Sequence, residues 1–253
     1  MLSLLFLPVC HTHNLPKNNA PPSVAYLFTL RGVGSHPLER AWSRYFDGCP
    51  AHSVTLLSHT DVSSMQKKPA TSPSGVFAGS MIKESIKVRR FSYSMVRARL
   101  LLLRSAMNST HSDWEQRRYL ARRRPVWFLF LSDSCAPLLP CAEVHHYLER
   151  HSPRSFVGAE PCNDHNRLRN ATSHIRQNCR TGPGWVGLHQ SAAQLLLRKE
   201  HAYEPQFLRL GVPDELYWST VLLLEGLPIV GRHLTFWSWS GHGAPLSLAH
   251  GVF

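Results

Sequence analysis

The order of strand and helix signals along this 253-residue chain predicts an α/β fold, with a mostly parallel central sheet flanked by helices. Two kinds of observation carry that expectation. Continuous apolar runs, Val24–Leu30 and Val126–Leu131, suit strands covered on both faces. Between and after them lie segments whose apolar residues recur at helical spacing, separated by polar or proline-rich connectors.

Taken in order, residues 24–30 read as the first buried strand. Pro37–Phe46 reads as a helix that gathers Leu38, Trp42, Tyr45 and Phe46 on one face. Ser53–His59 is a second strand. Residues 62–75, rich in Ser, Lys and Pro, read as a loop. Tyr93–Met107 is a helix with Met95, Leu102 and Met107 among its apolar members. The arginine cluster at 117–124 is a solvated connector leading to the strand at Val126–Leu131. Pro140–Arg150 is a helix and Ser155–Val157 a short strand. Residues 160–183 carry charges, Asn and Gly and read as a mobile loop. Trp185–Leu188 leads into a helix over Ser191–Lys199. A helix beginning at Pro213 and a strand over His233–Trp239 complete the order.

Two regions follow. Residues 1–23 combine about ten apolar residues, too few for the roughly 20 a membrane-spanning helix needs, with a polar, proline-rich stem. Residues 24–253 form the folded domain. A formal charge of +12 suits a polyanion, an acidic membrane face or a nucleotide diphosphate. Nucleic-acid binding is disfavoured, because the arginine cluster lacks interleaved aromatics and no known module is present. The six cysteines contain no C-x-x-C pair, which argues against structural zinc and leaves disulfides open. Ser132 and Ser134 lack the Gly-x-Ser-x-Gly setting of a hydrolase.

The most informative stretch is Pro213-Asp-Glu-Leu-Tyr-Trp-Ser219. On its own it is a well-made helix start: proline suits the first position, and acids oppose the positive end of the helix dipole. Upstream lies Val126-Trp-Phe-Leu-Phe-Leu-Ser-Asp-Ser-Cys-Ala-Pro-Leu138. Downstream lies Thr235-Phe-Trp-Ser-Trp-Ser-Gly-His-Gly-Ala-Pro245. In this order and at these separations the segments resemble the core-2/I-branching β-1,6-N-acetylglucosaminyltransferase family, particularly its plant-type branch. Tyr26-Leu-Phe-Thr, Ser53-Val-Thr-Leu-Leu-Ser-His-Thr60, Ser94-Met-Val-Arg-Ala98 and Gly182-Pro-Gly-Trp185 extend the likeness over roughly residues 24–253.

The resemblance implies a GT-A-like nucleotide-sugar transferase domain, inverting and independent of metal. A sugar, N-acetylglucosamine in the first instance, would pass from a UDP-sugar to a hydroxyl of a glycan or glycoprotein acceptor. The setting would be the Golgi lumen, with an N-terminal membrane anchor. An inverting transfer needs one carboxylate to take the acceptor's proton in line with the leaving group. By resemblance that base is Glu215, with Asp214 capping the helix or orienting its neighbour on the acceptor side.

On the donor side the resemblance points to His59, Ser132 and Asp133, and Arg31 is a further candidate. Trp239 and Trp237, facing one side of a strand, are candidates to stack on the acceptor sugar. No Asp-x-Asp triplet occurs, and Ser132-Asp-Ser134 offers a single carboxylate. Basic side chains are therefore expected on the diphosphate. The relatives continue past Gly-Ala-Pro into an Arg or Lys pair, whereas this sequence stops at Phe253. Arg31, Arg180 or Arg232 is expected to substitute. The alternative is a non-catalytic glycan-binding or scaffold protein with an incomplete diphosphate site.

Overall fold

A computed structural model describes residues 22–31, 36–50, 52–61, 75–109 and 126–235, with the strand backbone at 239–240 and 244–245. Residues 62–74 and the arginines at 117–124 lie outside the described residues, as does Trp237.

The chain runs β1 (Val24–Leu30), α1 (Glu39–Asp47), β2 (Val54–Thr60), α2 (Ser94–Asn108), β3 (Trp127–Ser132), α3 (Cys141–His151) and β4 (Ser155–Phe156). It continues through β5 (Glu160–Pro161), α4 (Ser173–Asn178), β6 (Arg180–Thr181), β7 (Gly187–His189), α5 (Gln190–Phe207) and α6 (Pro213–Leu224). β8 (Ile229–Val230), β9 (Trp239–Ser240) and β10 (Ala244–Pro245) close it.

Six strands form a mixed sheet in the order β2-β1-β3-β7-β4-β8. β2, β1 and β3 are parallel in register, as are β4 and β8, while β7 runs antiparallel to both of its neighbours. The expected α/β class, with mostly parallel pairing, is therefore present.

Alternate residues of β1 feed opposite layers, which explains its unbroken apolar sequence. Val24, Tyr26, Phe28 and Leu30 meet Trp42, Tyr45 and Phe46 of α1 and Leu148 of α3. Ala25 and Leu27 meet α2, α5 and α6 on the other face. Trp42 packs edge-on against Phe28 at 4.9 Å, as expected of the apolar face of α1.

Three expectations change. Residues 160–183 hold a short β5–β6 ladder, with α4 between them and a Cys162–Cys179 disulfide across it. Charge and Asn content hid this, because a covalent staple replaces apolar periodicity there. α5 extends to Phe207, with Pro205 inside it, beyond the expected Lys199. The last strand also differs: pairing occurs at Ile229–Val230 and again at Trp239–Ser240, with 233–235 outside any strand. A second disulfide, Cys49–Cys141, ties the end of α1 to the start of α3. Among the described residues no helix is long and apolar enough to cross a membrane.

Candidate functional site

The three parallel strands end together, at Leu30, Thr60 and Ser132, and in α/β sheets ligands bind beyond such carboxyl ends. Register places Thr29 beside both His59 and Ser132. In-register neighbours point to the same face. This polar row shares its face with Leu27, Leu57 and Phe130, the face covered by α2.

His59 is fully buried. The backbone N–H of Ile86 donates to its Nε2 at 3.2 Å, which leaves the ring proton on Nδ1, and Nδ1 has no hydrogen-bond partner. Burial lowers the His59 pKa, so the ring is neutral at neutral pH. The Thr29 hydroxyl is likewise buried without a partner.

Asp133 and Arg31 join the ends of β3 and β1. The Arg31 backbone N–H donates to Asp133 Oδ2 at 3.2 Å, and its Nε donates to Oδ1 at 3.1 Å. The Arg31 side chain is 81% exposed. Ser132 hydrogen-bonds Ser134 at 2.9 Å. Among the described residues, the His/Cys/Asp/Glu group close enough to share a metal is Cys49, Cys141 and His145, and its two sulfurs are already bonded to each other. At the strand ends two carboxylates are present, Asp133, engaged by Arg31, and Asp61, which follows Thr60 of β2.

α6 brings the acidic pair to this end of the sheet. Its helix begins abruptly: Val212 has φ 50°, a left-handed conformation that disfavours a β-branched residue, and Pro213 occupies the first turn. Trp218 packs on Phe130 of β3 with ring centroids 5.1 Å apart. Asp214, one turn earlier, does not cap the helix. Its Oδ2 accepts from Arg99 Nη1 of α2 at 3.3 Å, with both side chains buried. Arg99 packs against Gly184, where a Cβ would fall 2.1 Å from its Nη1. Burial pushes the Cys135 thiol pKa up, an effect that hydrogen bonds from Ser132 oppose.

Glu215 lies beside this pair and faces differently. Its Oε2 accepts from Arg167 Nη1 at 2.6 Å, and its side chain is 29% exposed. Arg167 is held in turn by Asp164 at 3.2 Å. The Glu215 carbonyl accepts the Gly182 N–H at 3.0 Å, fixing the helix start to the disulfide-closed segment. The arrangement presents a partly exposed carboxylate with one oxygen engaged.

Of the sequence-predicted residues, His59, Ser132, Asp133 and Arg31 share the strand ends, and Asp214 is paired with Arg99 of α2. Only the backbone of Trp239 is described, in β9. Arg180 donates from Nη1 to the Cys179 carbonyl at 2.8 Å, while its backbone N–H is held by Thr220 of α6. Arg232 is exposed next to β8. Arg99 and Arg167 were not anticipated. Arg99 carried a usable signal, a lone charge between Ala98 and Leu100 in an otherwise apolar helix face. Arg167 carried none.

A family model described as Core-2/I-Branching enzyme matches residues 24–250. The chain belongs to the Core-2/I-branching enzyme family. No curated protein matches it. The family consists of glycosyltransferases, which implies a nucleotide-sugar donor and a glycan acceptor for this Core-2/I-branching chain. The matched range includes every described element of the sheet.

Proposed function

We propose that this protein is an inverting glycosyltransferase that moves N-acetylglucosamine from its UDP conjugate to a glycan hydroxyl, with Glu215 as general base. The observation that carries the reading is the position of Glu215. It sits in the first turn of α6 with Oε2 engaged by Arg167 and part of its surface open. A base so held presents its free oxygen in one orientation to an incoming hydroxyl.

The donor lies over the strand ends, near Thr29, His59 and Ser132, with Arg31 and Asp133 at its rim. The leaving UDP is stabilised by cationic side chains rather than by a metal, in keeping with the engagement of Asp133 by Arg31. Trp237 and Trp239 stack on the acceptor, and Asp214, through its pair with Arg99, holds the helix start that presents the base. The plant-type branch of the family and a Golgi lumenal location belong to the same reading.

Calorimetric titration with UDP, first without divalent metal and then with Mn²⁺, tests the donor half. Saturable binding of equal strength in both conditions is expected. Binding only with Mn²⁺ contradicts metal independence. No binding in either condition supports a glycan-binding protein of this fold instead.

A further inference from the structure

The segment closed by the Cys162–Cys179 disulfide contains the triplet Asn170-Ala-Thr172. Asparagine two residues before threonine, with no proline between them, is the acceptor pattern for N-linked glycans. The triplet can serve only if it stands on the surface, and the fold puts it there. Asn170 and Thr172 are exposed, while Leu168 and Ile175 on either side are buried in the core. The turn between them is held in place. Arg176 Nη2 donates to the carbonyl of Leu168 at 3.3 Å and to those of Arg169 and Ala171 at 3.5 Å. The Thr172 hydroxyl accepts the Ile175 N–H at 3.3 Å and so begins α4.

The Asn170 amide can take a substituent without losing its place. Its Nδ2 donates to the Arg209 carbonyl at 3.1 Å. A side-chain amide nitrogen carries two hydrogens, so one can be replaced while the other keeps that bond. A sugar on Nδ2 then starts at the surface, next to the backbone of residues 208–209. Leu208 there is 48% exposed, an apolar side chain that a sugar's C–H face would shield from water. The disulfides point to the matching compartment. Cys49–Cys141 and Cys162–Cys179 span 92 and 17 positions, and such bonds form and persist in oxidising environments, the secretory lumen among them.

We propose that Asn170 is a modification site that carries an N-linked glycan. The donor class is an oligosaccharide joined to a lipid through a diphosphate. The Asn170 amide nitrogen forms a bond to C1 of the first sugar. The bond from C1 to the diphosphate oxygen breaks, the lipid diphosphate leaves with the electron pair, and the displaced amide proton passes to a base of the transferring enzyme. The protein is the acceptor in this reaction, which is separate from any transfer made at Glu215. The inference rests on the lumenal location in the reading above.

The test expresses the full chain in eukaryotic cells in two forms, alone and behind a cleavable signal peptide. Peptide-N-glycosidase in heavy-oxygen water converts a glycosylated asparagine to labelled aspartate. Trypsin then releases Asn170–Arg176, bounded by Arg169 and Arg176, for mass spectrometry. Thiol alkylation of the same samples reads the state of Cys162 and Cys179. The expected result is label at Asn170 in both forms, with one glycan-sized step of gel mobility lost in Asn170→Gln. Thr172→Ser should keep the label, since serine satisfies both the acceptor pattern and the helix cap. An unlabelled Asn170 in both forms, with Cys162 and Cys179 bonded in the chain expressed alone, overturns the site and leaves the lumenal location standing. Label only behind the added signal peptide, with free thiols in the chain expressed alone, overturns the proposal together with the lumenal location.

Discussion

Arg167 grips both sides of the α6 start: its Nη1 lies 2.6 Å from Glu215 Oε2, and its carbonyl accepts the Gly211 N–H at 3.1 Å. Arg167 thus fixes both the chain entering the helix and the carboxylate leaving it. Replacing the guanidinium should free the Glu215 side chain without unfolding the domain, since the pair is partly exposed. Arg167→Ala should lower kcat roughly tenfold to a hundredfold with little change in donor KM, and Arg167→Lys should recover part of the loss. Steady-state kinetics with the donor varied separates this from a donor-binding role, which would raise donor KM instead.

The Arg99–Asp214 pair is a stability device. Both side chains are more than nine-tenths buried, and Asp214 Oδ1 has no partner. Removing one member strands the other charge in the interior. Asp214→Ala is therefore expected to cost about 3 kcal/mol or more, whereas the double replacement Arg99→Met/Asp214→Leu should cost clearly less than Asp214→Ala alone. Urea denaturation of the two variants checks the sign of that difference.

The Cys162–Cys179 disulfide closes the segment that carries Asp164 and Arg167. A loop of this length is expected to contribute about 3 kcal/mol by restricting the unfolded chain. Cys162→Ser/Cys179→Ser should lower the midpoint of denaturation. It should also reproduce part of the Arg167→Ala loss in kcat, because the strap that aims Arg167 is released. Activity unchanged in the presence of lower stability would separate the staple from the site.

Acid should destabilise the protein in a defined window. Burial pushes His36 and His145 from 6.5 down to about 4. The unfolded chain takes up these protons as pH falls below 6.5, while the folded chain resists them. The stabilisation is thus fully present above pH 6.5 and is lost progressively between 6.5 and about 4. The cost reaches at most about 3 kcal/mol per histidine. His145→Gln should flatten the pH profile of denaturation over that interval relative to wild type.

Much of the fold was legible because burial on both faces leaves an unmistakable mark. Val24–Leu30 and the run ending at Leu131 could hardly be anything but central strands, and Trp42, Tyr45 and Phe46 could only face a core. The strap from 160 to 183 was opaque for a physical reason. Its core residues, Leu168 and Ile175, stand singly among charged and polar neighbours with no period to betray them, and the disulfide that closes it has a pairing no spacing reveals. The same holds for Arg167, which meets Glu215 across 48 residues. Asp214 misled in the opposite way: an acid in the first turn of a helix normally serves the dipole, and here a buried arginine on another helix claims it. The polar row Thr29, His59 and Ser132 was partly visible as polar residues at the ends of apolar runs, but only strand register shows that they share one face.

The account turns on Glu215 as the base. The most direct measurement is transfer from UDP-N-acetylglucosamine to a glycan acceptor by wild type and Glu215→Gln, with UDP affinity measured on the same preparations. The account predicts equal UDP affinity, a product of inverted configuration from the wild type, and a turnover lower by about 10²–10⁴ in the variant. Turnover within a few-fold of wild type in Glu215→Gln would contradict it and return Glu215 to the start of a helix, paired with Arg167 for stability alone.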